Sequence, residues 1–250
     1  MLGVFVNTAA ILTGGAIGLL VNKGIPKRFS TAILTGVGLC TLYIGISGAL
    51  QSENPIILVL SIVLGVATGT ALRLDDGLNA LGVKLEKKFA PTGGNNGNTS
   101  LAQGFVTGSL LFCVGAMAII GSINSGLTGD HSIIFTKSTI DFIAAAMLAV
   151  SLGAGVLFSA ASVLLYQGLL VLLAQLLRPL LDDSSLLAEL NGAGSLIIIA
   201  LGLNLIGLTK IKVADFLPTI VFAPIIFILA ELLQDWRSWG IVENIISFFS

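Results

Sequence analysis

The chain has 250 residues, of which 55% are apolar and only 10% are charged, and its formal net charge is -1. Charged residues make up about a quarter of a soluble domain, so this composition argues against soluble enzymes, nucleic-acid-binding proteins and secreted disulfide scaffolds. Both cysteines, Cys40 and Cys113, lie in apolar runs, and one histidine cannot form a multi-histidine metal site. We therefore expect an all-α polytopic membrane protein that contacts the lipid bilayer, with no cofactor, no metal and no nucleic-acid partner.

The amino-terminal apolar run is predicted to be a retained span. A signal peptide has its basic residues first, whereas the first basic residue here, Lys23, follows the apolar run. A spanning helix needs about 20 mostly apolar residues. The stretches of that kind are residues 2–21, 31–50, 55–72, 101–120, 186–208 and 216–233.

The region 138–177 decides the number of spans. Its only charge is Asp141, and as one helix it would be about 60 Å long, twice the hydrocarbon thickness. Two helices, broken at Gly153 to Gly155 or at residues 159–162, give eight spans. One steeply tilted, broken helix gives seven. The distribution of lysine and arginine places the amino terminus outside in both topologies and does not choose between them.

Three segments are predicted to lie outside the spans of a single transmembrane domain. Residues 75–89 form a partly amphipathic, cationic pattern that is typical of a helix on the cytoplasmic membrane surface. Residues 91–100 are polar and rich in glycine, which predicts a flexible linker between the halves 1–90 and 101–235. Residues 236–250 contain both tryptophans and are predicted to form an interfacial tail.

Glycines recur at a spacing of four residues in two of the predicted spans. The pairs are Gly14 with Gly18 and Gly65 with Gly69, and small residues at this spacing let helix backbones approach closely in lipid. The sequences around the pairs resemble each other, which suggests an internal duplication. With eight spans the copies would be inverted, as in many secondary transporters. The alternative is similarity by composition alone. The same glycine faces could also join two copies in a homodimer.

Asp141 and Lys137 are the first candidates for chemistry. An ionisable residue at membrane depth is a functional candidate by default, so Asp141 could bind a cation or exchange a proton, with Lys137 as its counter-charge. The alternative is structural, because Ser138 and Asp141 have the spacing of a helix-capping box. Asp130, in the preceding glycine-rich loop, is an accessory candidate.

A second candidate site contains Glu189 and Asn191 at the start of the penultimate span. If that helix is broken at Gly192 and Gly194, its free backbone amides would face a cavity, and Glu189 and Asn191 could coordinate a proton or cation. If the helix is continuous, Glu189 simply lies near the interface. Both interpretations stay open on the sequence alone.

Uncharged polar residues also occur inside apolar stretches. Buried hydroxyls such as that of Ser159 usually bond to a neighbouring helix or to the carbonyl four residues earlier. Asn7, Gln167 and Asn204 carry amides that hydrocarbon cannot satisfy, so each must face another helix or a polar pathway. No phosphate-binding loop, zinc-protease motif or serine-hydrolase elbow occurs in the sequence, so we expect neither an ATP-driven pump nor an enzyme.

Several segments resemble a known family. They are residues 3–15, residues 112–130 (FCVGAMAIIGSINSGLTGD), Lys137 to Asp141, residues 153–159, residues 166–168 and residues 189–194. Together they resemble the YdfK-like family of bacterial membrane proteins, whose function is not known. The resemblance implies a bacterial cytoplasmic (inner) membrane location and, at most, a transporter. It also supports the polar candidates that fall on or beside its motifs: Asn7, Asp130, Lys137, Ser138, Asp141, Ser159, Gln167, Glu189 and Asn191.

The leading hypothesis is a secondary transporter or facilitator of a small solute or ion, coupled to a proton or another cation. Asp141 or Glu189 would carry the coupling ion, and Asn7, Gln167 and Asn191 would hold the solute. A channel-like pore is a close alternative. A non-transporting assembly partner or sensor, acting through the glycine-lined faces, is the alternative from another class.

Overall fold

The computed structural model describes residues 1–22, 26–89, 101–178 and 183–238. The predicted linker 91–100 and residues 239–250 of the predicted tail lie outside the described residues. Within the described ranges the chain forms helices and no strands, which confirms the all-α bundle. The helices are α1 (Leu2–Asn22), α2 (Lys27–Ala49), α3 (Pro55–Leu72), α4 (Leu74–Phe89), α5 (Leu101–Cys113), α6 (Ala116–Leu127), α7 (Ser132–Leu152), α8 (Gly155–Leu172), α9 (Ala174–Leu177), α10 (Ser184–Ile206), a 3-10 turn (Val213–Phe216) and α11 (Thr219–Ser238).

Seven of the described helical segments are long and apolar enough to cross a membrane, and α5 with α6, a pair bent by 60°, has the length and composition of either an eighth, broken span or a re-entrant loop. The region 138–177 is divided between α7 and α8, so the prediction of two helices is correct and the single broken helix is wrong. The break lies at Gly153 and Ala154. Gly153 has a φ of 73°, a conformation that glycine adopts more readily than any other residue.

Each of the first three helices packs on a helix from the second half of the chain: α1 on α7, α2 on α10 and α3 on α11. Gly14 and Gly18 lie directly against the backbone carbonyls of Phe142 and Ala146 on α7. Gly65 of α3 lies against the hydroxyl and backbone nitrogen of Thr219, and Gly69 lies against the backbone carbonyl of Asp215. These glycines therefore bring helices of one chain together, and they are not free to contact a second copy in this structure.

The glycine contacts also fix the relative directions of the helices. Gly3 faces Ile134 and Gly18 faces Ala146, so α1 and α7 run parallel. By the same comparison α2 and α10 are antiparallel, as are α3 and α11. The starts of α1, α7 and α10 consequently lie at one end of the bundle, with the α2–α3 loop. We call it the outer end, because lysine and arginine predict that it faces outward.

The opposite end carries α4, the helix predicted over residues 75–89. Gly82 of α4 packs on Ala102 at the start of α5. The Lys212 ammonium lies 2.8 Å from an Asp76 carboxyl oxygen, and this exposed pair holds the pKa of Asp76 below its usual range. The inverted repeat stays a prediction, because pairing between the halves does not by itself establish a symmetry relation between them.

Candidate functional site

A polar cluster lies in the outer half of the bundle, where α1, α7 and α8 meet. It consists of Asn7 from α1, Lys137 and Asp141 from α7, and Gln167 from α8. Asn7 and Gln167 have no exposed surface, and Asp141 and Lys137 keep only 5% and 6% of theirs. The structure therefore brings together four of the residues that the sequence analysis singled out separately.

The hydrogen bonds of the polar cluster centre on one carboxylate oxygen. Asp141 Oδ2 accepts from the Lys137 ammonium in an ion pair and from Asn7 Nδ2 at 3.0 Å. Asn7 Nδ2 also donates to Gln167 Oε1 at 3.2 Å. Two buried atoms of the polar cluster have no hydrogen-bond partner: the acceptor Asn7 Oδ1 and the donor Gln167 Nε2. Each such atom costs about 1–3 kcal/mol of stability, so the cluster is held together but not fully satisfied.

The local structure of α7 explains the ion pair. Lys137 and Asp141 are four residues apart, so their side chains share one face of the helix. Because α7 begins at Ser132, Asp141 lies about 14 Å along the helix from its first residue. The capping-box interpretation is therefore wrong. Ser138 instead donates its hydroxyl to the carbonyl of Ile134 at 2.7 Å, a bond within the helix.

The break between α5 and α6 lies beside the polar cluster. The Lys137 ammonium is 6.0 Å from the centre of the Phe112 ring, in the last turn of α5, which is at the limit of a cation–π contact. The chain leaves helical geometry at Val114 and Gly115, where Gly115 has a φ of 131°. No side chain caps the first turn of α6 at Gly115. The 60° bend therefore lies close in the chain to Phe112, the residue that contacts the Lys137–Asp141 pair.

The break predicted at Gly192 and Gly194 does not occur, because α10 runs without interruption from Ser184 to Ile206. Gly192 serves close packing instead, because a methyl group there would lie 2.8 Å from Cβ of Ser52. A methyl group at Gly194 would lie 3.5 Å from Val114 and 3.7 Å from the Gly115 nitrogen. These are ordinary van der Waals distances, so Gly194 packs beside the break between α5 and α6 but is not required for it.

Glu189 does not join the polar cluster; it binds the α2–α3 loop. Its side chain is 1% exposed. Its Oε1 accepts from the amides of Glu53 at 2.8 Å and Asn54 at 2.7 Å, and its Oε2 accepts from the Ser52 hydroxyl at 2.8 Å. Asn191 donates to Gln51 Oε1 in the same loop at 2.8 Å. The carboxylate thus satisfies backbone amides that precede α3, as an N-terminal capping group does.

A further acid, which is not among the predicted candidates, caps the first turn of α4, directly after α3. Asp215, in the 3-10 turn, is 4% exposed, and its Oδ1 accepts from the amide of Asp75 at 2.9 Å. Asn204, a candidate amide, closes the turn before it. Its Nδ2 donates to the Ile211 carbonyl at 2.7 Å, and its Oδ1 accepts from the Thr209 hydroxyl. Both residues have structural partners, and acids from the second half of the chain bind backbone amides just before α3 and at the start of α4.

Ser159 and Asp130 also have local structural roles. Ser159 donates to the Val156 carbonyl at 2.6 Å and packs against Gly108 of α5. Asp130 accepts from the Ser132 amide at 2.9 Å and from the Ser132 hydroxyl, and these bonds keep its pKa below the usual range. They fix the start of α7. Neither residue is hydrogen-bonded to the polar cluster.

Replacing Glu189 tests its capping role. Glu189→Gln is expected to lower the free energy of unfolding by about 1.5–3 kcal/mol, because a charged acceptor of three donors becomes neutral. Chemical unfolding of the protein in detergent measures this loss. Glu53→Gln is the matched control, because it removes the same charge from an exposed side chain in the same loop. Equal losses in the two variants would contradict the capping role.

The comparisons with known proteins identify the family. Residues 2–228 match the family described as "Protein of unknown function (DUF554)". The chain is 31% identical over 239 residues to "Uncharacterized protein YqgA" from Escherichia coli (strain K12), over 96% of this chain and 99% of that protein. It is 29% identical over 230 residues to "Uncharacterized membrane protein YdfK" from Bacillus subtilis (strain 168), over 90% of this chain and 95% of that protein. No solved structure matches the chain.

These matches confirm the resemblance to the YdfK-like family, and together with the apolar helices they establish a membrane protein. The chain therefore belongs to the DUF554 family of proteins of unknown function.

Proposed function

We propose that the protein is an ion-coupled secondary transporter or facilitator, which moves a small solute or ion across the bacterial cytoplasmic membrane. The observation that carries the proposal is the polar cluster, a buried Lys137–Asp141 pair with two unpaired amide atoms beside it. Ionisable side chains at membrane depth are rare and commonly mark ion or proton pathways. If the cluster served stability alone, hydrogen-bond partners for the two unpaired amide atoms would make the protein more stable.

The broken helix supports the same function. Transporters often build their ion sites where a spanning helix is discontinuous, because the break frees backbone groups and allows part of the helix to move. Here the break at Gly115 follows Phe112, whose ring faces the Lys137 ammonium. In this mechanism Asp141 exchanges the coupling ion, Lys137 is its counter-charge, and Asn7 with Gln167 contacts the transported species.

The structure favours this function over an assembly partner that acts through its glycine faces. Gly14 and Gly65, which would line such faces, are covered by α7 and by Thr219 at the start of α11. Asn191 and Glu189 are left out of the proposed mechanism, because both hold the α2–α3 loop. We therefore propose transport without chemical change of the solute.

Flux measurements on purified protein in liposomes test the proposal. Internal pH, read with an enclosed dye, and currents on a supported membrane are recorded together while gradients of inorganic ions and small metabolites are applied. We expect at least one gradient to move protons or charge with the wild type. The coupled component should be lost in Asp141→Asn and kept in Asp76→Asn, which removes an exposed carboxylate.

A second variant controls for the possibility that Asp141→Asn loses coupling only because it misfolds. The double variant Lys137→Met with Asp141→Leu removes both charges and leaves no buried charge unpaired, so it should fold and still fail to couple. Coupled flux that persists at the wild-type rate in a folded double variant would overturn the assignment of the site. If the wild type gave no pH change and no current with any of the applied gradients, the transport proposal would be overturned.

A further inference from the structure

We propose that the polar cluster binds a small monovalent anion together with a proton, so that the protein carries the two in the same direction without moving net charge. This inference rests on the proposed function and names the transported species. It follows from three properties of the polar cluster: its charge, its hydrogen-bond donors and its two unpaired atoms.

The first property is the charge balance. The Lys137–Asp141 pair is neutral as a whole and almost completely buried. Among the described residues, the ionisable groups that face Asp141 are Lys137 on the same helix and the Cys113 thiol at the end of α5. From α1 and α8, Asn7 and Gln167 contribute neutral amides.

A proton on Asp141 would leave the lysine ammonium as an uncompensated charge in a site that excludes water, which is strongly unfavourable. An anion that arrives with the proton restores neutrality. The balance is simple, because the carboxylate becomes a carboxylic acid, the ammonium stays charged and the anion takes the place of the carboxylate as its partner. By linkage, the anion must then raise the affinity for the proton by the same factor by which the proton raises the affinity for the anion.

The second property is the set of donors that protonation would release. Lys137 Nζ and Asn7 Nδ2 both donate to Asp141 Oδ2, which becomes a weaker acceptor once the carboxyl is neutral. Gln167 Nε2 is already without a partner. An ammonium and two amide N–H groups are a suitable donor set for one small anion.

The third property is that the loaded state would satisfy both unpaired atoms. The O–H of a protonated Asp141 needs an acceptor, and Asn7 Oδ1 is a buried acceptor without a partner. The anion needs donors, and Gln167 Nε2 is a buried donor without a partner. One ligand pair, a proton and an anion, would therefore give a partner to both of the unpaired atoms of the polar cluster.

A metal cation fits the polar cluster less well. It would add positive charge to a site that already holds the Lys137 ammonium, and like charges at short distance repel strongly where water is excluded. It would also need several oxygen ligands, whereas Gln167 Oε1 and Asp141 Oδ2 already accept hydrogen bonds. With Asp141 protonated and neutral, the polar cluster keeps the single positive charge of Lys137, which favours an anion with a single negative charge.

Anion gradients across liposomes test the inference. Chloride, bromide, nitrate and thiocyanate gradients are applied from outside to liposomes that contain a pH dye, with protein-free liposomes as the baseline. With the wild type, we expect an inward gradient of at least one of these anions to acidify the interior without a current on a supported membrane. Lys137→Gln should abolish this acidification, and Lys212→Gln, which removes an exposed ammonium, should retain it.

Binding gives an independent measurement. If the anion binds only with a proton, its apparent dissociation constant should rise about tenfold for each unit of pH on the alkaline side of the Asp141 titration. Thermal stabilisation of the detergent-solubilised protein by the same anions reports this constant. Asp141→Asn, whose side chain resembles the protonated acid, should bind the anion without the pH dependence and carry an anion current without proton uptake.

The outcomes separate this inference from the proposed function. Coupled transport of a cation or neutral solute that is lost in the double variant, with no response to the four anions, would overturn the anion inference and leave the proposed function intact. A pH-independent anion dissociation constant in the wild type would also overturn it. No flux with any compound of either panel would overturn both.

Discussion

Asp141→Asn alone is expected to lower the free energy of unfolding by about 3–5 kcal/mol, because it leaves the Lys137 ammonium buried without a charged partner. The double variant Lys137→Met with Asp141→Leu should recover most of that loss, since apolar side chains of similar size can replace a buried ion pair at little cost. Asn7 would keep its hydrogen bond to Gln167 in the double variant. The double variant would then be nearly as stable as the wild type and would still fail to couple transport.

Unfolding in a mild detergent, followed by circular dichroism at increasing denaturant, measures both variants against the wild type. Lys212→Met with Asp76→Leu is the matched control, because it removes an ion pair that is exposed on both sides. Exposed pairs contribute little to stability, so this control should unfold close to the wild type. An Asp141→Asn variant as stable as the wild type would show that the ammonium finds another partner or loses its proton.

Gly14→Leu is expected to prevent normal packing of α1 on α7 and to destabilise the protein by more than about 3 kcal/mol. Even the first carbon of a side chain at Gly14 would overlap the carbonyl oxygen of Phe142, which belongs to the α7 backbone and cannot rotate away. The change would also displace α1, which carries Asn7, so the polar cluster should lose its amide contact to Asp141.

Gly36 supplies the control for this effect. It lies on α2, and nothing lies within 4 Å of the position that a side chain would take there. Gly36→Ala should leave stability unchanged or raise it by up to about 1 kcal/mol, because alanine favours the helix. Thermal denaturation monitored by size-exclusion chromatography compares the two variants. Similar losses in both would contradict the close approach of α1 and α7.

The sequence was sufficient for the spans and for one of the helix breaks, because both depend on local composition. Apolar stretches of spanning length mark the helices, and Gly153 with Gly155 marks the turn between α7 and α8. The composition of the polar cluster was also predictable residue by residue. Its assembly was not, since Asn7 lies 134 residues from Asp141 and 160 from Gln167, and nothing in one sequence fixes which spans pack together.

The errors have physical causes as well. Asp141 and Glu189 are both acids in apolar surroundings, so the sequence makes both of them ion-binding candidates and does not show that Glu189 binds the α2–α3 loop. Gly192 and Gly194 predict a helix break that α10 does not have, because glycine favours both breaks and close packing. The actual break lies at Val114 and Gly115, where Gly115 has a φ of 131°, and nothing in the sequence distinguishes Gly115 from the other glycines of the apolar stretches.

The pairing of early helices with late ones has a consequence for biogenesis. Helices α1, α2 and α3 are synthesised first, yet their packing partners α7, α10 and α11 leave the ribosome only much later. Until then, Asn7 and the glycine faces stay in lipid or against the insertion machinery. A nascent chain that stops near residue 90 would therefore present these uncovered helices to the proteases that remove orphan membrane segments, and stable insertion should depend on completing translation.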